Sequence, residues 1–292
     1  MSMRNVTRLE ATPQPLSNAL VVKPITPVIG AEIEGVDLEN LDDATFEAIR
    51  KASLDHHVLV FRNQMISLAA HKAFARRFGV LHTHPWNRSD PKSDPEILEI
   101  KADANSAHVN GEDWHTDVSC DERPPMGSML LLKTTPEGGA GGDTMFASTV
   151  AAYDTLSEPM KAFLGGLTAV HEGHKLYTDR YEMTPPPGGW PKAVHPVITT
   201  VPETGRKVLF VNRFFTTRIV ELDRHESDAV LEMLWRHIES TMELQCRIRW
   251  EPNTLVFWDN RATQHRAVWD YFPKARNGQR VSIIGERLIA RT

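Results

Sequence analysis

The chain has 292 residues, of which 41% are hydrophobic, enough to form a substantial buried core. A net charge of −5, a pI near 6.2 and scattered basic residues argue against an extended nucleic-acid-binding surface. No apolar stretch has the length of a membrane span, the first residues lack the apolar segment of a signal peptide, and two cysteines make no disulfide framework. These features predict a cytoplasmic protein without nucleic-acid or membrane partners, and they leave open a homo-oligomer.

The N-terminal residues predict a tail followed by one domain. Residues 1–19 carry proline, serine and threonine without periodicity, which predicts a flexible tail, and residues 20–292 are expected to form a single domain. The domain is predicted to begin with strands at 20–23 and 31–37, a helix starting at Asp42 or Asp43, a strand at 57–62, and a helix at 68–78 that Ser67 caps and Gly79 ends.

Beyond residue 80 the chain consists mostly of short predicted strands. These lie at 96–100, 127–132, 143–147, 195–201, 207–211, 245–250, 254–258 and 280–285. Many short strands with Gly and Pro turns indicate a sandwich or barrel with a few helices outside it. We therefore expect a mainly β fold with flanking helices, of the α+β class. The proline-rich stretch 184–191 is either a lid over a site or a surface connection.

His115 and Asp117 form a candidate metal site with His265. In an extended strand, residues i and i+2 point to the same face, so His115 and Asp117 can hold one ion from a single strand. His265 follows an apolar strand and a polar turn, which predicts a third ligand from a neighbouring strand. Two imidazoles and one carboxylate suit iron(II) with open positions for chemistry.

A His-x-acid pair by itself is weak evidence. With 13 histidines and 38 acidic residues, chance alone gives about one or two such pairs. His237 and Glu239 form another pair, but they lie in a predicted helix, where positions i and i+2 diverge. Cys120 follows Asp117 closely and is interpreted as a small buried residue rather than as a thiolate ligand.

Several short motifs occur together in one order along the chain. They are Trp114–Val118, Gly141–Thr144, Phe210–Asn212, Phe215–Arg218, Trp258–Arg261, Gln264–His265, Arg276 and Arg280. This order, over residues from about 20 to 290, resembles the taurine and 2,4-dichlorophenoxyacetate dioxygenase family (TauD/TfdA). The resemblance implies a distorted double-stranded β-helix, a cupin-like jelly roll, that binds Fe(II) through His115, Asp117 and His265. It also implies that 2-oxoglutarate and O2 are consumed, giving succinate and CO2 while a substrate C–H bond is hydroxylated.

By the same resemblance, Thr144 and Arg276 bind the distal carboxylate of 2-oxoglutarate. The chemistry agrees, because a guanidinium binds a carboxylate with two hydrogen bonds and a threonine hydroxyl can donate a third. The glycine-rich run 138–142 lacks the ending of a phosphate-binding loop, so it is interpreted as a turn into the strand that carries Thr144. Without the resemblance, Arg276 would be interpreted as a solvated loop residue.

The resemblance also places substrate contacts. His84 and Arg280 align with residues that hold the sulfonate of taurine, and a cation beside an imidazole suits a small organic anion. Tyr177 and Phe215 fall at positions of aromatic pocket walls, and Val118 directly follows the ligand pair. All five are predicted to contact the substrate.

Two positions depart from the pattern of taurine enzymes. Asn87 and Gly111 stand where the resemblance leads us to expect a tyrosine and an asparagine that recognise taurine. We therefore expect a larger anion, a sulfonate or a sulfate ester, with an aryloxyalkanoate or other carboxylate as the alternative.

Two other classes could use the same ligands. A zinc hydrolase could bind its metal through His115, Asp117 and His265, but it would not need Thr144 or Arg276, and no HExxH motif is present. A noncatalytic jelly-roll binding module should have lost a ligand, whereas all three are present.

Overall fold

A computed structural model describes residues 3–9, 12–15, 20–87 and 94–289. The strands are β1 Gln14–Pro15, β2 Val21–Pro24, β3 Ala31–Glu34, β4 Val58–Phe61, β5 Leu98–Ala102, β6 Pro125–Thr134, β7 Thr144–Ser148, β8 Thr168–Glu172, β9 Lys192–Pro196, β10 Ile198–Thr200, β11 Lys207–Leu209, β12 Thr216–Ile219, β13 Gln245–Ile248, β14 Thr254–Asp259, β15 Thr263–Ala267 and β16 Arg276–Ile284. The helices are α1 Asp43–His56, α2 Leu68–Arg76, α3 Thr149–Asp154, α4 Glu158–Leu164, α5 Gly173–Tyr177 and α6 Arg224–Glu239.

The strands form one large sheet and three smaller ones. The large sheet has the order β1-β2-β3-β4-β14-β6-β16-β5 and is antiparallel except where β3 pairs with β4. A second antiparallel sheet has the order β13-β7-β15, and further sheets join β12, β8 and β9 and join β10 and β11. Because the side chains of a strand point alternately to its two faces, the large sheet has one apolar core on each face.

The central strands of the large sheet are buried on both faces, so apolar residues occupy consecutive positions. In β4, Leu59 and Phe61 join a core on one face, and Val58 and Val60 join a core on the other. The strands β6 and β14 alternate in the same way. The second of these cores also contains Phe146 of β7 and Ile248 of β13, so it lies between the large sheet and the second sheet.

Helices cover the outer faces of this sandwich. Helix α1 begins where Asp42 accepts a hydrogen bond from the Thr45 amide (2.6 Å), and α2 begins where Ser67 accepts one from the Ala70 amide (3.1 Å). Both starts were predicted. Apolar residues of α1 and α2 pack on the large sheet, whereas those of α3, α4 and α6 pack on the second sheet. The mainly β class with flanking helices and the jelly-roll arrangement of facing sheets are confirmed.

Two predicted strands need adjustment, whereas His237 lies in a helix as predicted. The predicted strand 195–201 is two strands of different sheets, because the chain changes direction at Val197. The last strand begins at Arg276, not at residue 280. His237 lies in α6 and its Nε2 contacts the Thr155 hydroxyl (3.0 Å) and the Ala152 carbonyl (2.9 Å), so it serves helix packing, as expected for the second His-x-acid pair.

Part of the predicted tail lies against the domain. Val6 is buried, and the Leu9 amide donates to the Pro27 carbonyl (2.7 Å). Residues 1–2, 10–11 and 16–19 lie outside the described residues, so flexibility there and the single-domain organisation stay predictions. In the described ranges, no helix combines the length and apolar character needed to cross a bilayer.

Phe257 of β14 offers a test of the core between the large sheet and the helices. Its ring lies 4.7 Å from that of Phe78 and is almost fully buried. Phe257→Ala should lower the free energy of unfolding by about 3–5 kcal/mol, because the lost apolar contacts leave a cavity. Phe163→Ala, at a 45% exposed position of α4, is the matched control and should change it by less than about 0.5 kcal/mol. Urea unfolding measures both, and equal losses would contradict the assigned core.

Candidate functional site

His115 and His265 are brought together by a single backbone bridge. The His115 amide donates to the His265 carbonyl (3.0 Å), and the His265 amide donates to the His115 carbonyl (2.8 Å). His265 lies in β15, as expected for a strand after a turn. The expectation that His115 and Asp117 share a regular strand is wrong, because the bridge is one residue long and the chain turns at Asp117. Their side chains nevertheless converge.

The three side chains form a buried cluster with metal-ligand geometry. Ligand atoms of His115, Asp117 and His265 all lie within 4.8 Å of one another. Asp117 Oδ1 is 3.7 Å from His115 Nε2 and 3.8 Å from His265 Nε2. His115 Nδ1 lies 2.8 Å from the Asp113 carbonyl, so this nitrogen donates and the Nε2 lone pair is left to face the cluster. Two imidazoles and one carboxylate fit Fe(II).

The protonation of the cluster suits metal binding. Burial alone would raise the pKa of Asp117, but the positive charge of Arg280, with smaller effects of the two imidazoles, holds it well below its usual value. Burial also lowers the pKa of His265 well below its usual value, with His115 adding to the effect. At neutral pH Asp117 is therefore ionised and His265 is neutral, which are the forms that bind a metal.

Hydrogen bonds fix the Asp117 carboxylate from behind. Ser128 donates to Oδ2 (2.8 Å), and Ser128 Oγ in turn accepts a hydrogen bond from Asn260 Nδ2 (3.0 Å). Arg280 Nη1 lies 2.5 Å from Oδ1. Groups of this kind orient metal ligands and tune their basicity. Ser128, Asn260 and the Arg280 contact with Asp117 were not predicted from the sequence.

Aromatic packing holds His265. Its ring stacks on Phe146 (centroids 5.6 Å apart, 24° between planes) and contacts Trp258 (4.9 Å). Among the described residues its Nδ1 has no hydrogen-bond partner, so packing rather than a hydrogen bond sets the ring orientation. Trp258 belongs to the core between the sheets and also lines the cavity beside the cluster.

Thr144 and Arg276 lie at the starts of β7 and β16. Trp250 joins them, because its Nε1 donates to Thr144 Oγ1 (3.0 Å) and its ring lies 5.5 Å from the Arg276 guanidinium. Arg276 is 5% exposed, so it is not the solvated loop residue that the sequence alone would suggest. Gly142, with φ +74°, lets the glycine-rich turn pack closely, since a Cβ there would lie 3.3 Å from Arg276 Cδ.

Arg276 is a buried cation without a carboxylate partner in the described part of the chain. Its Nε has no hydrogen-bond partner there, and the nearby carboxylate, Asp143, is paired with Arg247 (2.6 Å). Burial lowers the pKa of Arg276 from its usual value, yet a guanidinium stays charged. A buried charge is costly unless an opposite charge compensates it. The arrangement therefore suits an incoming carboxylate.

One cavity of about 730 Å³, open to solvent, contains every predicted site residue. Its lining includes the metal-ligand cluster, Thr144, Arg276 and all five predicted substrate residues: His84, Val118, Tyr177, Phe215 and Arg280. The His84 Nε2 and the Tyr177 hydroxyl are 3.5 Å apart. The roles of these residues stay predictions, but the fold places them around one space.

The rest of the lining is apolar and was largely missed from the sequence. It comprises Leu98, Ile100, Leu130, Phe146, Leu176, Tyr181, Phe214, Trp250, Trp258 and Ala267, with Asn110 and Gly111. One sequence signal could have indicated this wall. Leu98 and Ile100 are two residues apart in β5, so their side chains face the same side of the sheet, and Leu130 of β6 lines the same cavity. The two positions that depart from the taurine pattern put no polar side chain into the cavity. The side-chain Nδ2 of Asn87 donates to the Ile97 carbonyl (2.5 Å), and Gly111 has no side chain.

Comparison with known proteins agrees with this geometry. Residues 21–282 match the family described as "Taurine catabolism dioxygenase TauD, TfdA family". An α-ketoglutarate-dependent sulfonate dioxygenase of Saccharomyces cerevisiae is 35% identical, over 92% of this chain and 68% of that protein. An α-ketoglutarate-dependent sulfate ester dioxygenase of Pseudomonas putida is also 35% identical, over 91% of this chain and 90% of that protein.

Solved structures show the same relationship. A taurine dioxygenase from Burkholderia xenovorans superposes with a TM-score of 0.79 at 36% identity, covering 93% of this chain and 91% of the other. The family match extends over most of the chain and includes all three residues of the His-Asp-His cluster. The chain belongs to the TauD/TfdA family and is an Fe(II)- and 2-oxoglutarate-dependent dioxygenase.

Proposed function

We propose that His115, Asp117 and His265 bind the Fe(II) and that Thr144 and Arg276 bind the distal carboxylate of 2-oxoglutarate. One observation carries this assignment: the cavity that contains the buried His-Asp-His cluster also contains a buried arginine with no carboxylate partner among the described residues. Bound iron, with 2-oxoglutarate and O2, supplies the oxidising power to hydroxylate an unactivated C–H bond.

The neighbours of Thr144 and Arg276 prepare them for a carboxylate. The Trp250 indole N–H donates to Thr144 Oγ1, which leaves the hydroxyl hydrogen of Thr144 to donate to a ligand. The Trp250 ring also holds the Arg276 guanidinium through a cation–π contact. Both groups are thus oriented before 2-oxoglutarate arrives, which reduces the entropy lost on binding.

We place the anionic group of the primary substrate beside Arg280 and His84. Arg280 uses Nη1 on Asp117, while its Nε has no hydrogen-bond partner in the described ranges, so donors are left for an anion. Val118, directly after Asp117, also lines the cavity. Tyr177 supports His84 through its hydroxyl and, together with Phe215, forms an aromatic wall.

The apolar lining indicates what the anion is attached to. An ammonium group such as that of taurine would find no side chain at Gly111, and Asn87 does not line the cavity, whereas apolar and aromatic side chains form most of the wall beside Asn110. Burial of alkyl groups there is favourable by ~0.8 kcal/mol per CH₂. We therefore propose an organic sulfate ester or sulfonate with an apolar group, in keeping with the sulfonate and sulfate ester relatives.

The proposed reaction has two steps, hydroxylation of a carbon and loss of the sulfate group. Hydroxylation of the carbon that bears the sulfate turns R–CH₂–OSO₃⁻ into R–CH(OH)–OSO₃⁻, while 2-oxoglutarate and O2 give succinate and CO2. The hydroxylated product then breaks its C–O bond to sulfate and forms the aldehyde R–CHO with loss of the hydroxyl proton. A sulfonate would release sulfite in the same manner. The apolar lining limits the access of water to the reacting carbon, and so it limits competing reactions.

We also infer the binding partners and the cellular compartment of the enzyme. We expect a small organic anion as its partner, without nucleic acid or membrane, since the net charge is −5. Cys120 and Cys246 are both buried thiols, which suits a reducing cytoplasm. Family membership sets aside the zinc hydrolase and the noncatalytic binding module.

The cofactor assignment can be tested by anaerobic titration of metal-free protein with Fe(II) and 2-oxoglutarate, followed by the visible metal-to-ligand charge-transfer band. His265→Ala should abolish the band because it removes a ligand. Arg276→Ala should keep the band but raise the Kd for 2-oxoglutarate by about a hundredfold, since a hydrogen-bonded charge pair contributes about 3 kcal/mol.

Arg236→Ala is the control, because this exposed arginine of α6 pairs with Glu232 (2.9 Å) and does not line the cavity. It should change the Kd for 2-oxoglutarate by less than about threefold. A full-strength band in folded His265→Ala protein would refute the ligand assignment, and an unchanged Kd in Arg276→Ala would refute the carboxylate assignment.

The substrate class can be tested by comparing hexyl sulfate, hexanesulfonate, taurine and phenoxypropionate. We expect kcat/KM for hexyl sulfate to exceed that for taurine by about a hundredfold, because about four additional CH₂ groups are buried. Succinate and released sulfate or sulfite should form in equal amounts. A preference for taurine would reject the apolar substrate, and a preference for phenoxypropionate would favour the aryloxyalkanoate alternative.

A further inference from the structure

The chain turns sharply immediately after Asp117. Val118 has φ +43°, in the left-handed region that β-branched residues rarely adopt. The turn closes with a hydrogen bond from the Asp121 amide to the Val118 carbonyl (3.0 Å). Such a conformation persists only where the surrounding structure holds it. Buried polar side chains from distant parts of the chain surround this turn.

Two histidines bind the end of the turn. His195 Nε2 lies 3.0 Å from the carbonyls of both Ser119 and Asp121, so it donates to them. His82 Nε2 lies 2.7 Å from Asp121 Oδ2. Both histidines are buried, and His195 reaches the turn from β9.

The hydroxyl of Ser119 is the centre of a second set of hydrogen bonds. Asn212 Nδ2 donates to Ser119 Oγ (2.8 Å), so the Ser119 hydroxyl must donate its own hydrogen bond to a different acceptor. His171 Nδ1 lies 3.0 Å away, and burial lowers the pKa of His171 well below its usual value, which leaves a neutral ring that can accept. Ser119, Asn212 and His171 are each at most 1% exposed.

Asn212 also holds the aromatic wall of the cavity. Its Oδ1 accepts a hydrogen bond from the Phe215 amide (3.0 Å). Phe215 lines the cavity, and the adjacent Phe214 stacks on the ring of His115 (centroids 4.9 Å apart, 24° between planes). One amide group therefore joins the turn after Asp117 to the chain segment that packs on another member of the cluster.

We propose that Asn212 is a positioning residue: by donating to Ser119 and accepting from Phe215 at once, it fixes the Val118 turn and the aromatic wall relative to each other. The inference rests on the proposed function, in which Val118 and Phe215 contact the substrate. Asparagine is suited to this place because its side chain offers a donor and an acceptor together. Aspartate keeps the acceptor and loses the donor, and alanine loses both.

The test compares Asn212→Ala, Ser119→Ala and their double variant with wild-type protein. Each single change should raise KM for hexyl sulfate about tenfold, the cost of a lost buried hydrogen bond, and should increase succinate formed without sulfate release. The Kd for 2-oxoglutarate, measured by the charge-transfer band, should stay within about twofold, because Thr144 and Arg276 are untouched. The double variant should lose less than the sum of the two single losses, since the Asn212–Ser119 hydrogen bond is removed by either change alone.

Gln64→Ala is the matched control. Gln64 is also a buried amide that accepts from one backbone amide, that of Leu38 (3.1 Å), and donates to the carbonyls of Val36 and Arg62, but it does not line the cavity. A loss of stability alone would affect Gln64→Ala and Asn212→Ala equally, whereas the KM effect should appear only at position 212.

Hydrogen exchange provides a readout that is independent of the substrate. Amides of residues 115–121 should exchange faster in Asn212→Ala and in Ser119→Ala, and at the wild-type rate in Gln64→Ala. If wild-type protein does not turn over hexyl sulfate, the proposed substrate fails and the exchange data still decide the positioning role. Unchanged exchange at 115–121 in folded variants overturns the inference. Should Asn212→Ala not fold, Ser119→Ala, which removes a single hydroxyl, gives the deciding measurement.

Discussion

The buried carboxylate of Asp117 is the constraint around which the charged part of the cavity is organised. It is 2% exposed and lies at the end of an apolar core, where an unpaired charge would be costly. One oxygen faces two imidazoles and Arg280, and the other accepts from Ser128. In such surroundings each of these contacts is electrostatically stronger than it would be in water. This explains why a hydrogen-bonded network lies behind a single ligand.

The two arginines that line the cavity, Arg276 and Arg280, come from one strand, β16. Four residues of extended chain separate their Cα atoms by roughly 13 Å, so one strand can present two guanidinium groups to two different anions. Arg280 contacts Asp117, whereas Arg276 lies beside Thr144 and Trp250. The separate neighbours support the separate roles that we propose for the two arginines.

Much of the fold and of the cluster could be predicted from the sequence, for identifiable reasons. Period-two patterns and capping residues indicate strands and helix starts locally, as at Asp42 and Ser67. The spacing of His115 and Asp117 suggested a common ion, although the regular strand assumed for it was wrong. The contacts of Asn212 with Ser119 and of Arg280 with Asp117 join residues far apart in sequence, so no local pattern indicates them. They depend on how the sheets face each other.

The apolar character of the cavity has the same origin. Leu130, Phe146, Trp250 and Trp258 belong to the core between the two sheets and also line the cavity. The sequence could not separate core from cavity lining here, because the same residues belong to both. Apolar walls are thus inherent to the sandwich, whereas the polar groups come from a few strand positions, Thr144, Arg276 and Arg280, and from rim segments such as the one that carries His84. Changes at the rim can therefore alter which anion is accepted while the strands keep the ligand cluster in place.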